Sequence, residues 1–309
     1  MSRLSIKLKI MYKKINLVIL VVVAISLAMS CKKDRIEKKE KNEYAPVNDY
    51  LDTKKQQEQE FVITGPSNDT ITGNQGTRLL AGKDCLMFPN GDTVGYPFTV
   101  KLVELYTPKD MIYWQIPTVA GGNILETDGE IRVRAVKDGQ DLVLRPSCFY
   151  RVMMPNSAPS SNMRKFLGFD GGGFIDWTDN PDTITVSPIF STDAYGYIGD
   201  VPRLGWLNCG VLANNSTGST ITFTSETDNL QNVGTFVYFP ATKSVMQAYN
   251  SVTGLIPNGA SIKIILIGMQ SSGALFYFYK DSSISGPTTI DVEMISISDA
   301  YLTNLLNGL

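Results

Sequence analysis

Apolar and polar residues alternate with period two through much of this 309-residue chain. That pattern limits the fold more than any other feature, because only a half-buried strand sends successive side chains to opposite faces. In residues 130–136, Ile131, Val133 and Ala135 point one way while Glu130, Arg132 and Arg134 point the other. Ile290, Val292 and Met294 alternate with Thr289, Asp291 and Glu293, and Ile221 and Phe223 sit between threonines. These segments read as half-buried antiparallel strands. Residues 98–106 begin with Phe98, Val100 and Leu102 on one face and change phase at Val103 and Leu105, which predicts a β-bulge. Residues 262–267 and 275–279 are apolar on both faces, as central sandwich strands are.

Turn residues punctuate the strands. Pro89-Asn90-Gly91 and Pro257-Asn258-Gly259 set a fixed φ before a glycine that tolerates positive φ, and Lys137-Asp138-Gly139 reads as a hairpin turn. No fixed repeat recurs, which argues against a propeller or solenoid. Helix is scarce. Thr107 and Pro108 offer an N-cap and first helical residue, residues 242–249 suggest a short helix, and Ser298 or Asp299 caps a stretch with Leu302, Leu305, Leu306 and Leu309 on one face. The expected fold is all-β: two antiparallel β-sandwich domains with one short C-terminal helix. The Ser/Asn/Pro-rich residues 155–162 set the boundary between residues 61–157 and 158–309, with the second strand-rich core over 204–297.

The chain opens differently. An apolar run over residues 17–28 follows Lys13 and Lys14 and ends in Ala28-Met29-Ser30-Cys31. It is too short for a bilayer span, which needs about 20 residues, and has the form of a signal peptide over residues 1–30. The leader is as complete from Met11 as from Met1. Its close resembles the looser lipobox of Bacteroidota-type lipoproteins, with Cys31 as the lipidated residue; a plain secretory signal with a chance cysteine and a non-lipid transmembrane anchor are the alternatives. Acyl chains, at about 0.8 kcal/mol per buried methylene, would then anchor the protein in a membrane. Lys32 in place of an Asp points to the outer membrane, on its periplasmic or its cell-surface face. Residues 32–60 carry eight basic and eight acidic side chains, few large apolar ones and several glutamines. With Cys31 they read as a flexible, disordered tether over residues 31–60.

Subtracting a leader of +5 and a balanced tail from the chain's net −2 leaves the body at −7. An acidic body argues against nucleic-acid partners and against direct adhesion to anionic lipid. The chain has no histidine, which removes Ser-His-Asp and Cys-His catalysis and histidine-ligated metal sites. After Cys31 only Cys85, Cys148 and Cys209 remain. They fit either one disulfide plus an odd thiol or three separate buried thiols.

The most site-like loop is residues 169–182. Asp170, Asp176, Asp179 and Asp182 are spaced along a Gly-rich segment whose oxygens can wrap a calcium ion, though the spacing is not that of an EF-hand. The other reading is a solvated turn capped by its own Asp and Asn residues. The same carboxylates would serve glycoside hydrolysis only if two of them stood about 5 to 9 Å apart across a cleft. For a sugar or peptide, Tyr195, Tyr197 and Trp177 are the candidate aromatic contacts, with Tyr113, Trp114 and Trp206 as further aromatics.

Three stretches carry a resemblance: Thr70-Ile71-Thr72-Gly73-Asn74-Gln75-Gly76-Thr77, Val103-Glu104-Leu105-Tyr106-Thr107-Pro108-Lys109-Asp110-Met111-Ile112 and Leu125-Glu126-Thr127-Asp128-Gly129-Glu130-Ile131. With Met163-Arg164-Lys165-Phe166, Ile175-Asp176-Trp177 and Leu204-Gly205-Trp206-Leu207-Asn208-Cys209, they resemble a family of uncharacterised lipid-anchored Bacteroidota proteins. The first domain of that family is similar to the spectrin-binding β-sandwich of ankyrins and netrin receptors. The resemblance implies a sandwich architecture and an envelope location, and brings no catalytic residues. The expected function is a non-enzymatic cell-envelope lipoprotein that binds or scaffolds an envelope protein or glycan, without a cofactor unless calcium. The alternative is a carbohydrate-binding or glycan-degrading component of an outer-membrane nutrient-capture system.

Overall fold

The alternating run around Ile131 lies in the fifteen-residue strand Asn123–Lys137 of a computed structural model that describes residues 40–66, 70–80, 82–170, 174–180, 186–213 and 217–309. The leader, Cys31 and the tail to residue 39 lie outside the described residues. Asn123–Lys137 pairs antiparallel with Phe98–Leu105 on one side and Gly205–Leu212 on the other. Gln59–Ile63 extends this first sheet at one edge, and Arg164–Asp170 then Ile175–Thr178 at the other. A second sheet, ordered Ser191–Thr192, Gly196–Val201, Tyr150–Pro155, Arg78–Leu80, Thr70–Thr72, completes a sandwich with it. Phe98, Val100, Leu102, Ile131 and Val133 from the first sheet pack there against Tyr150, Val152, Met154 and Tyr197 from the second. Burying each such side chain contributes about 1.5–3 kcal/mol.

A third sheet runs Ser244–Ala248, Gly234–Phe239, Ser261–Met269, Leu275–Ser283, Ile295–Ile297. Its central strand is apolar on both sides, as its sequence predicts. Ile262, Ile264 and Leu266 face a core shared with Ile221, Phe223 and Ile290. Ile265 and Ile267 face the outer side of the first sheet, where Val103, Leu105, Phe166 and Trp206 meet them. The expected all-β sandwich architecture is therefore present, but the two sandwiches share an apolar seam.

The seam explains several departures from expectation. Residues 98–105 contain no bulge: their register runs unbroken from Thr99 opposite Val136 to Leu105 opposite Glu130. The phase changes because Val103 and Leu105 enter the seam while Leu102 stays in the first core. The bulge lies instead in Asn123–Lys137, where Asp128 and Gly129 stand at the register shift between Asn208 and Gly210. Gly129 has φ +132°, and a Cβ there would come within 2.3 Å of the Tyr106 ring. Glu130, expected on an open face with Arg132 and Arg134, is fully buried.

Residues 242–249 form the edge strand Ser244–Ala248, not a helix; pairing with Gly234–Phe239 overrides their local preference. Ile221–Thr224 and Thr288–Asp291 pair parallel rather than antiparallel. The sandwich boundary also moves. Strands from both sides of residue 157 pair in the same sheets, as Tyr150–Pro155 does with Gly196–Val201 and Asn123–Lys137 with Gly205–Leu212. The first sandwich thus runs to Leu212.

Much of the segment expected to be tether, residues 31–60, belongs to the folded body. Tyr44, Val47, Tyr50 and Leu51 are buried, the helix Asn48–Lys54 packs in the seam, and Gln59–Ile63 is a strand of the first sheet. Two other helices follow their sequence signals. In Pro108–Trp114 the Thr107 hydroxyl accepts from Asp110 N, and in Asp299–Asn307 the Ser298 hydroxyl accepts from Tyr301 N. Both pack into the seam, the latter through Leu302 and Leu306. Of the two cysteine arrangements the first holds: Cys85 and Cys148 form a disulfide, and Cys209 is a buried free thiol.

Candidate functional site

At one end of the seam, the Ile175–Thr178 strand of the first sheet comes beside Val119–Ala120 and the Ser244–Ala248 edge of the third. Pro117, Val119, Ile175 and Met246 line a groove of about 440 Å³. Phe174 and Tyr249 frame it, 44% and 48% exposed, with ring centroids 6.2 Å apart at 52°. Two part-exposed aromatic rings beside an apolar slot offer a ligand a large contact area. Asp176 is the one carboxylate among the described lining residues. Its Oδ1 accepts from Gly121 N at 3.2 Å and Trp177 N at 3.0 Å, so it also ties the groove's two walls together. Two-residue strand Val119–Ala120 is held in place by Thr118, whose backbone N–H donates to Val245 O at 2.8 Å and whose hydroxyl accepts from Val245 N at 2.7 Å.

A second cleft, of about 600 Å³, opens on the other side of Gln247 and Tyr249, which belong to both. It lies between residues 46–48, the 229–235 segment and the 247–251 turn. None of its described lining side chains carries a charge. Asn250 and Ser251 adopt left-handed backbone, with φ of +52° and +60°, which turns the chain sharply after Tyr249 and holds that ring at the rim.

The residues singled out from sequence are placed otherwise. Trp177 is buried in the seam, its indole N–H donating to Pro117 O at 2.8 Å. Tyr197 is buried in the first core, its hydroxyl donating to Asp128 at 2.5 Å. Tyr195 is half-buried under the Arg78 guanidinium, 4.0 Å from the ring centroid, with its hydroxyl bonded to Gly76 O. These three side chains are structural, and the expected aromatic platform is not where the sequence suggested.

The four Asp residues do not form a described cluster. Asp170 pairs with Ile175 and Asp176 with Phe169 across the same hairpin, so their side chains leave it on opposite faces. Asp179 is ion-paired with Arg164 at 2.7 Å, and Asp182 lies outside the described residues. Among the described residues no group of three acidic, cysteine or histidine side chains is placed to hold a metal ion. Elsewhere, burial pushes the Glu130 carboxyl up to about 8, but Glu130 lines none of the described cavities.

Sequence reasoning missed Phe174 and Tyr249. Phe174 closes the Gly171-Gly172-Gly173 run in the loop already under suspicion, which was a usable signal. Tyr249 had none, because its role depends on a turn far along the chain. No protein-family model, curated protein or solved structure matches this chain.

Proposed function

We propose that this chain is a non-enzymatic binding module of the cell envelope, held at the outer membrane by lipid on Cys31, with its ligand seat in the groove framed by Phe174 and Tyr249. The observation that carries the reading is that exposed aromatic pair over an apolar slot at the seam. Large aromatic side chains give much contact area for little ordering entropy, which is why they dominate recognition surfaces. A hydrolytic reading has less support: among its described lining residues the groove offers one carboxylate, Asp176, already engaged by two backbone N–H groups. The leader pattern ending at Cys31 and the resemblance to lipid-anchored envelope proteins support the location.

The test is site-specific photo-crosslinking in the native envelope. With p-benzoylphenylalanine at position 174 or 249, adducts should form that are absent when the probe sits at Val62, an exposed residue on Gln59–Ile63. Equal labelling from all three positions, or none from 174 and 249, removes the groove as a ligand seat.

A further inference from the structure

We infer that the ligand is a neutral oligosaccharide lying across Gln247 and Tyr249, with one part stacked in the aromatic groove and the next hydrogen-bonded in the adjoining cleft. This rests on the reading of the groove as a ligand seat and adds the chemical class and the second subsite. The cleft brings six carboxamides together: Asn48, Asn229, Gln231, Asn232, Gln247 and Asn250. Some build its wall. Asn229 donates to Glu43 at 2.8 Å, Asn232 donates to Tyr44 O at 2.8 Å, and Gln247 accepts from the Tyr249 hydroxyl at 3.4 Å. Asn48, Gln231 and Asn250 are exposed, and their side chains make no hydrogen bond to the described protein.

Each carboxamide offers one acceptor oxygen and two N–H donors. Sugar hydroxyls, each donor and acceptor at once, match that set without needing a charge. The apolar C–H face of a sugar ring matches the second feature, the exposed rings of Phe174 and Tyr249. Other ligand classes fit less well. An anionic polymer would bring its charges into a cleft whose described lining offers no cation, beside a groove that already holds the Asp176 carboxylate. An acyl chain would suit the groove but strip water from the amides without replacing it. An extended peptide would need the outer edge of Ser244–Ala248, and Thr118 already occupies Val245 N–H and C=O there.

The experiment is calorimetric titration of the full chain in detergent with neutral hexasaccharides of glucose, mannose, xylose and N-acetylglucosamine, and with hexagalacturonate as the charged counterpart. At least one neutral hexasaccharide should bind at least ten-fold more tightly than hexagalacturonate. Gln231→Ala, and Asn250→Gly, which keeps the left-handed turn, should each weaken it roughly three- to ten-fold, as expected for one lost hydrogen bond, without lowering the melting temperature. Tyr249→Ala should abolish it, and Val62→Ala should leave it unchanged. The inference is overturned if no neutral hexasaccharide binds, if hexagalacturonate binds as well, or if binding ignores Gln231→Ala and Asn250→Gly. Adducts from positions 174 and 249 with no saccharide bound would sink the ligand class alone; absence of adducts sinks the binding reading as well.

Discussion

Glu130 and Asn208 stand opposite each other on neighbouring strands, and each keeps one buried oxygen without a partner. Asn208 Nδ2 donates to Glu130 Oε1 at 3.0 Å, while Glu130 Oε2 and Asn208 Oδ1 are unpaired. Protonation at the unpaired Oε2 removes the buried charge and turns that oxygen into a donor. Burial raises this carboxyl from its ordinary 4.5 to about 8, against the opposing pull of the Asn208 bond. The folded state therefore holds a proton that the unfolded chain has released between those two values. Folding takes up a proton in that window, so stability falls as pH rises from 4.5 to about 8, by at most about 1.4 kcal/mol per unit. Glu130→Gln keeps the shape and one donor, and cannot ionise. Urea unfolding at pH 5, 6, 7 and 8 should show the wild type losing stability across the series and Glu130→Gln following a flatter line, becoming the more stable at pH 8. Parallel lines would mean that Glu130 is not the group that titrates.

At the scale of elements, the segment before the first sheet behaves as a strap. Asp228, almost fully buried, receives the Tyr44 hydroxyl at 2.6 Å, Asn42 Nδ2 at 3.0 Å, the Thr227 hydroxyl at 2.7 Å and Met294 N at 3.1 Å. Burial alone would raise this carboxyl; the bonds from Tyr44, Asn42, Thr227 and Met294 outweigh it and hold it below the usual carboxylate range. Two of these donors lie on the strap, and the helix that follows drives Leu51 into the seam. Leu51→Ala should cost about 2–5 kcal/mol in denaturant unfolding. Tyr44→Phe, which removes one donor, should cost about 1–3 kcal/mol and speed amide hydrogen exchange across residues 42–51 before the rest of the chain. Unchanged exchange there would show that Asp228 does not hold the strap. None of this was legible in a segment whose charge balance reads as tether. Four apolar residues at positions 44, 47, 50 and 51 are too few to form a core alone, and become one only against sheets made far downstream. What was legible is local: the caps at Thr107 and Ser298, the Asp138-Gly139 turn with φ of +52° and +78°, and the two-faced strand through Ile265. The edge strand Ser244–Ala248 hid because both its faces are covered, which erases alternation. The binding groove hid for a related reason. Phe174 and Tyr249 meet only because the seam joins two hairpins, whereas Tyr195, Tyr197 and Trp177 look like a surface cluster until packing buries or covers them.

Across the whole molecule the seam decides whether the two sandwiches are separate bodies. Phe166 and Trp206 from the first sheet and Phe236, Ile265 and Ile267 from the third bury in one cluster, and residues 41–309 form a single compact unit. Two further ties cross it: Lys243, on the turn before the Ser244–Ala248 edge, meets Asp128 of the first-sheet bulge at 2.6 Å, and Thr242 O accepts from Thr127 N at 3.0 Å. If the sandwiches unfold together, damage to one must be felt in the other. Cys209 reports on this, since its free thiol is fully buried in the first core while Ile265 belongs to the third sheet. Ile265→Ala should lower global stability by about 2–5 kcal/mol through the cavity it leaves. With opening and reclosing faster than labelling, the rate at which a thiol reagent modifies Cys209 should then rise by the same free energy, more than ten-fold. Mass spectrometry resolved to the Cys209 peptide reads this thiol alone, and the Cys85–Cys148 disulfide is left oxidised. A variant that melts earlier yet protects Cys209 as well as the wild type would mean the first sandwich stands without the third sheet. The seam would then be a contact between independent domains, and the groove at its end a mobile one.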